Sequence, residues 1–529
     1  NEEGLLMNKL ILLIITLMLA CTAQLMAQDQ TVIKPYETDK WATAGNIIDT
    51  KVEATLAKSG VKMRNSCSDE VFIRRVYQDM IGTLPNFKEV DAFLKDTRPD
   101  KRALLIEALF NRDEFADYSA LRWCDLLRVK SEFPINLWPN AVQAYHHWIR
   151  DAVQKNMPYD QFVRELLTSS GSNFRVPPVN FYRALPSKDP TTIARTVALN
   201  FMGTRYDKWP DQQQKDMTVF FSRVAYKKTG EWKEEMVYLN PADNSALKTK
   251  FPDGTDALIP ADSDPRVVFA NWLLAPGNKW FARNIVNCVW TWTMGHGIIH
   301  ETDDIRADNP PASPETLAAL EAEFVKSKYD IRQIYRLILN SKTYQQSSIP
   351  HGDTADPNMQ FAHYTVRRLD AEVLIDALCW IGGHGENYSS AIPEPFTYIP
   401  KENHTISLAD GSITSTFLMK FGRPSRDTGL ESERDNHPSE DQALYMLNSS
   451  DIQRRIDTSP RLLAVNSLAK GNKQTIIKWI YLPLLSRFPT PAEMATADKY
   501  FQTPGLQTRQ AQSDLAWSLI NSKEFLYKH

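Results

Sequence analysis

FARNIVNCVWTWTMGHGIIHETDDIRADNPPASPETLAALEAEF, residues 281–324, holds two helix patterns around one polar turn. Its opening belongs to a stretch, 264–296, in which apolar residues recur every three or four positions, and the same spacing returns over 313–341. Between them the glycines at 295 and 297 flank a turn followed by Asp303 and Asp304. Outward in both directions the texture repeats. It appears in VFIRRVYQDMIG, RALLIEALF, LRWCDLLRV and AYHHWIRDAV between Asp69 and Leu167, and again over 188–202, 211–225, 366–381 and 440–525. The sequence therefore predicts a mainly α, multi-helical protein. Two helical domains are expected, 28–225 and 263–529, separated by a small β-hairpin in 226–262, where EEMVYL and the turn-like FPDGT fall. Residues 383–438, rich in Gly, Ser, Pro and Asn, read as a long irregular loop, too long for an idle connection and too aromatic for disorder.

A chain of 529 residues exceeds one ordinary core, and its apolar content of 43% with thirteen tryptophans suffices for packed interiors. The 61 basic and 64 acidic residues form no long run of either sign, so neither nucleic acid nor an anionic membrane is expected as a partner. From Met7 the sequence reads Asn8, Lys9 and then an apolar run from Leu10 to Ala20, the pattern of an export signal. The run is short for a transmembrane span, and cleavage is placed after Ala27, giving a signal peptide over 1–27 and a periplasmic, cell-surface or extracellular product. A competing reading makes Cys21 a lipid-anchored N-terminus. The remaining cysteines, Cys67, Cys124, Cys288 and Cys379, lie far apart, mostly among apolar neighbours, and read as buried thiols.

The chain also repeats itself. Tyr77, Pro85, Asn86, Glu89 and Phe93, closed by Glu114 and Phe115, match Tyr481, Pro489, Thr490, Glu493 and Tyr500, closed by Glu524 and Phe525. Asn86 with Glu89, and Thr490 with Glu493, have the spacing of a capping box.

Candidate chemistry gathers in three places. Asp303 and Asp304 are paired carboxylates suited to acid and base roles, with Arg306 beside them. Arg367, Arg368, Asp370, Glu372 and Asp376 fall on an expected helix, where Arg368, Glu372 and Asp376 would form an ion-pair stripe. In the long loop stand Arg423, Arg426, Asp427, Glu431, Glu433 and Arg434, whose guanidinium forks suit carboxylate or sulfate groups. The candidate catalytic set is thus Asp303, Asp304, Glu431 and Glu433, and the candidate ligand-binding set Arg306, Arg368, Arg423, Arg426, Asp427 and Arg434. No metal is expected. Asp304, Asp308 and Glu315 take positions one, five and twelve of a calcium loop, but Arg306 stands at a ligand position and Asn309 replaces its glycine. His296 and His300 sit among glycines unsuited to a regular helix. Trp138, Trp290 and Trp292 could stack on sugars or fill the core.

Taken together, IRRVYQDMIGTLPNFKEVDAFL, VPPVNFYRA, NIVNCVWTWTMGHGII, RRLDAEVLIDAL, FGRPSRD and DNHPSEDQALYMLN resemble the paired secreted bacterial domains of unknown function 1549 and 1553, the planctomycete-type cytochrome-associated proteins. The resemblance spans about 67–222 and 264–529 and implies export without implying a reaction. Relatives carry a CAQCHDHPFD-like element where this chain reads FMGTRYDKWPDQQQ, 201–214, and a Cys-x-Cys where it has Leu430 and Ser432. The haem or metal element of relatives is therefore expected to be absent, and no cofactor is expected. The functions left are an exported protein binding or processing an extracellular polymer such as a polysaccharide, a carboxylate-dependent hydrolase, and a structural envelope protein.

Overall fold

A computed structural model describes residues 32–350, 361–399 and 404–529. The expected signal peptide and Cys21 lie outside the described residues. The chain is mainly α, with short strands paired in small antiparallel sheets. Helix starts follow local capping chemistry. Ser68 caps Asp69–Met80 by accepting from the Val71 N–H, and Asp189 with Pro190 behind it caps Pro190–Met202. Both expected capping boxes form, Asn86 with Glu89 and Thr490 with Glu493.

The repeat is structural as well. In the first unit Arg112 bridges Glu89 at 2.7 Å and Glu114 at 2.6 Å, its guanidinium 5.6 Å from the Tyr77 ring centre. In the second Arg487 bridges Glu493 at 2.7 Å and Glu524 at 2.6 Å, 5.5 Å from Tyr481. The carboxylates and tyrosines occupy matching positions, while the arginine enters from opposite ends of the unit. The two units pack against each other through Phe87 and Trp479, ring centres 5.8 Å apart. Tyr527–Lys528 pairs with Arg367–Arg368, and Arg74, just before the first unit, donates to the carbonyls of Leu484 and Phe525 at 2.7 and 3.0 Å.

Three sequence expectations change. Residues 226–262 contain parts of two hairpins rather than one: Val224–Lys228 with Glu235–Leu239, joined at the edge by Gly171–Ser172, and Leu247–Lys250 with Asp256–Ile259. Arg368 is not on a helix. It lies in the short strand opposite Tyr527, and the helix begins at Ala371 with Asp370 as its cap. Nor is the Glu372 and Asp376 stripe solvated, since both side chains are buried. Periodicity alone could not reveal that the first two turns of this helix, flanked by charges, are buried.

Apolar contacts form two cores. One unites residues from Ile48 to Tyr364, so the helices Pro265–Leu273, Phe281–Met294, Pro314–Lys326 and Ile331–Leu339 share an interior with those of the first 200 residues. The other runs from Leu369 to Phe525 and takes in Tyr118 and Leu121 of the helix Asp113–Leu126. That helix stands between the cores. No helix among the described residues is long and apolar enough to cross a membrane.

Candidate functional site

Gly203 ends the helix Pro190–Met202 in a left-handed turn, φ +61°, where a Cβ would stand 2.5 Å from Asn284 Oδ1. The close approach lets the chain leave the helix along Phe281–Met294, and the Gly203 carbonyl accepts the Ile305 N–H at 2.7 Å. The segment 203–210 is thereby laid beside the Asp303–Asp304 turn. Arg205 donates to Asp303 at 2.9 Å and to Glu301 at 2.8 Å. Lys208 meets Asp304 at 2.6 Å, and Arg306 lies 3.0 Å from Asp304 and 2.8 Å from Asp308. Asp303 and Asp304 are themselves buried. They act on their cationic neighbours as counter-ions from beneath.

What those cations line is a groove of about 600 Å³. Arg205, Lys208, Lys279, Arg283 and Arg306 face it together with Trp209 and Trp280, and no carboxylate is part of the lining. The Lys279 ammonium sits 4.7 Å from the Trp280 ring centre, and Arg283 is steadied by Glu321 at 2.7 Å. Both tryptophans are half-buried, leaving part of each ring to the groove. Of the sequence candidates only Arg306 lines it. The rest were missed, although two Lys-Trp pairs, Lys208-Trp209 and Lys279-Trp280, each with an arginine three or four residues away, were visible in the chain.

The loop candidates fold inward. Asp125, Arg122 and Tyr118 share one face of Asp113–Leu126, and the 423–436 segment closes over them. Arg426 meets Asp125 at 2.9 Å, while Arg434 binds Asp125 at 2.6 Å and Glu372 at 2.7 Å. Arg423 lies 3.4 Å from Glu372 and donates to the Ile413 carbonyl. Asp370 accepts from Arg122 at 2.6 Å, from Asn436 at 2.6 Å and from Tyr118. Burial pushes the Asp370 carboxyl up, but Arg122, Lys528 and Arg434 outweigh it and hold it well below the usual carboxylate range. Arg368 donates to the carbonyls of Phe421 and Asp435, fastening the loop to the strand. Glu433 is a loop staple, accepting from the Asp427, Thr428 and Gly429 N–H groups at 2.9, 3.1 and 3.2 Å. Asp427 pairs with Lys130 at 2.6 Å.

Glu431 is the exception. Its N–H donates to Asp303 at 3.2 Å, which joins the loop to the groove wall. The residue is part-exposed, yet its carboxyl end is enclosed, and burial raises its pKa against the opposing pull of Arg122 and Arg434. Trp290 and Trp292 are core residues, packed on Phe361 and Trp123. All four described cysteines are free thiols, and among the described residues no group of three or more His, Cys, Asp or Glu side chains could hold a metal ion.

Asp376 stands apart, accepting from the Thr405 and Ile406 N–H groups at 2.7 and 3.1 Å, with the His404 ring 3.9 Å away. Burial pushes its pKa up to about 6, with the Thr405 bonds and His404 opposing. A folded-state value above the unfolded one means that the stability from this group is complete below pH 3.8 and is lost as pH rises through about 6. Across this window the urea midpoint of the wild type should fall relative to that of Asp376→Asn. A difference between the two proteins that stays constant across the window would show that Asp376 does not titrate there.

The family models agree with the motifs. A protein of unknown function family (DUF1549) matches residues 47–244, and a second (DUF1553) matches residues 265–501. No curated protein and no solved structure matches the chain. The chain is thus a tandem member of these two families, with a DUF1549 domain followed by a DUF1553 domain.

Proposed function

We propose that this is an exported glycan-binding protein whose basic groove holds a polysaccharide chain bearing carboxylate or sulfate groups. The groove lining carries the reading: five cations and two tryptophans with no carboxylate among them. The indole faces suit the C–H faces of sugar rings, and the guanidinium and ammonium groups suit anionic substituents between them. Because Arg205, Lys208, Arg283 and Arg306 are already held by carboxylates at their backs, little side-chain freedom is lost when a ligand arrives.

Affinity electrophoresis through gels containing sulfated, uronate-rich and neutral polysaccharides tests this. Retardation is expected in the acidic gels, weakening as salt screens exposed charges over a Debye length of about 8 Å. Lys279→Glu reverses a cation of the groove lining and should weaken retention about tenfold, or ~1.4 kcal/mol. Equal mobility of wild type and variant in every gel would sink the proposal.

A hydrolytic reading has one observation in its favour, the enclosed Glu431 carboxyl, whose pKa burial raises and whose backbone N–H binds Asp303. Clearing of the embedded polymer in the same lanes, abolished by Glu431→Gln, would establish it.

A further inference from the structure

Three segments far apart in sequence bring aromatic rings together at the surface. Trp138 precedes the helix Pro139–Gln154, Trp232 lies in the turn between Val224–Lys228 and Glu235–Leu239, and Phe396 belongs to the long loop. Trp138 and Trp232 have ring centres 4.7 Å apart, and Phe396 stands 5.8 Å from the first and 5.5 Å from the second. Trp232 is 63% exposed and Phe396 48%. Phe133 and Tyr398, on two of the same segments, are more exposed still. The Lys233 ammonium lies 5.0 Å from the Trp138 ring centre and 5.8 Å from that of Trp232.

The backbone under these rings is strained. Asn136, Trp138 and Lys233 all have positive φ, 58°, 71° and 62°. For a bulky L-residue such a conformation costs about 1–2 kcal/mol, and it persists only where the surroundings impose it. Here they do. Ser131 N–H donates to Asp410 at 3.0 Å, Glu132 N–H to Ser412 at 3.0 Å, and the Glu132 carboxylate accepts the Ala391 N–H at 3.0 Å, so the turn before Trp138 is fastened to the long loop. The turn carrying Trp232 is held by Thr229 donating to Glu234 at 2.6 Å and by the Arg175–Glu231 pair at 2.8 Å. Strain and fastening together keep apolar rings in water in one arrangement.

Magnitudes select the occupant. An aromatic side chain buries about 150–250 Å² when fully covered, so three rings already packed on one another offer well under the roughly 800 Å² per partner of a stable protein interface. The charges of Arg175, Glu231 and Lys233 stand next to them. A small rigid apolar surface rimmed by hydrogen-bonding groups matches one sugar unit, whose C–H face packs on an aromatic face while its hydroxyls meet the rim. We propose that Trp138, Trp232 and Phe396 form a stacking platform for an uncharged pyranose unit, with Lys233 donating to its hydroxyls. This second contact shares no residue with the basic groove and needs no charge on the ligand, so it can fail or hold independently of the proposed acidic ligand.

The test is a tryptophan-fluorescence titration of the full chain with neutral cello-, xylo-, manno- and malto-oligosaccharides. A saturable change with at least one series is expected, weakened about tenfold or more in Trp232→Ala and retained in Lys279→Glu. Trp232 is largely in water, so the variant should stay folded, and Lys233→Met provides a second variant expected to weaken binding without removing a ring. No response to any series, or equal affinity in wild type and both platform variants, overturns the platform. So does concentration-dependent self-association in sedimentation that Trp232→Ala abolishes, which would make the rings a contact between copies of the chain.

Discussion

Arg434→Met is expected to lower the free energy of unfolding by about 3–5 kcal/mol, the cost of removing one member of a buried ion pair and leaving its partners uncompensated. The side chain is nearly inaccessible and spans two carboxylates, with Asp125 at 2.6 Å and Glu372 at 2.7 Å, while Asp370 lies 3.9 Å away. Without it Asp125 keeps only Arg426, and Glu372 keeps Arg423 at 3.4 Å. Methionine fills much of the volume, so the loss reports charge more than cavity. Urea denaturation at neutral pH measures it. A change below about 1 kcal/mol would mean that the remaining arginines suffice and that the network is redundant. The expected consequence reaches further than stability, because Arg434 ties the loop to the helices Asp113–Leu126 and Ala371–Gly382, and that loop ends against the groove wall through Glu431 and Asp303.

Gly422→Ala should also be severe, costing about 3 kcal/mol or more from left-handed strain added to overpacking. Gly422 has φ +79°, and a Cβ there would fall 1.8 Å from the Asp435 carbonyl oxygen. That oxygen cannot retreat freely, since it accepts from Arg368 at 2.9 Å while the Asp435 N–H donates to the Gly422 carbonyl at 3.1 Å. The two strands of the loop are therefore clasped back to back at this glycine. Limited proteolysis at residues 423–436 should accelerate in the variant along with the fall in urea midpoint. An alanine tolerated without either effect would show that the clasp can open at small cost.

The sequence went furthest where local chemistry suffices. Helix starts at Asn86 and Thr490, the repeat of tyrosines and carboxylates, and the mainly α class all follow from spacing and capping. The repeat's arginines could not be matched by spacing, because the cation enters one unit just before its closing glutamate and the other six residues after its tyrosine. Either position places a guanidinium over the ring, and only three-dimensional proximity shows them to be equivalent. The site was less legible for a related reason. Charges in FGRPSRD and RRLDAEVLIDAL look the same on a line whether they meet a ligand or each other. Enclosure between the helix Asp113–Leu126 and the long loop made most of them internal ion pairs.

By itself the sequence determined membership of the two families, the helical class, and the composition that leaves no long run of either charge. These depend on residue order and short-range spacing, which a chain carries whether folded or not. The tertiary structure alone decided which cations remain available. Asp303 and Asp304 became counter-ions beneath a groove, Arg423, Arg426 and Arg434 were enclosed, and Arg205, Lys208, Lys279 and Arg283 were left facing solvent beside two indoles. The physical reason is desolvation: a charge loses most of its hydration when a distant segment covers it, and which segment does so is set by packing across hundreds of residues.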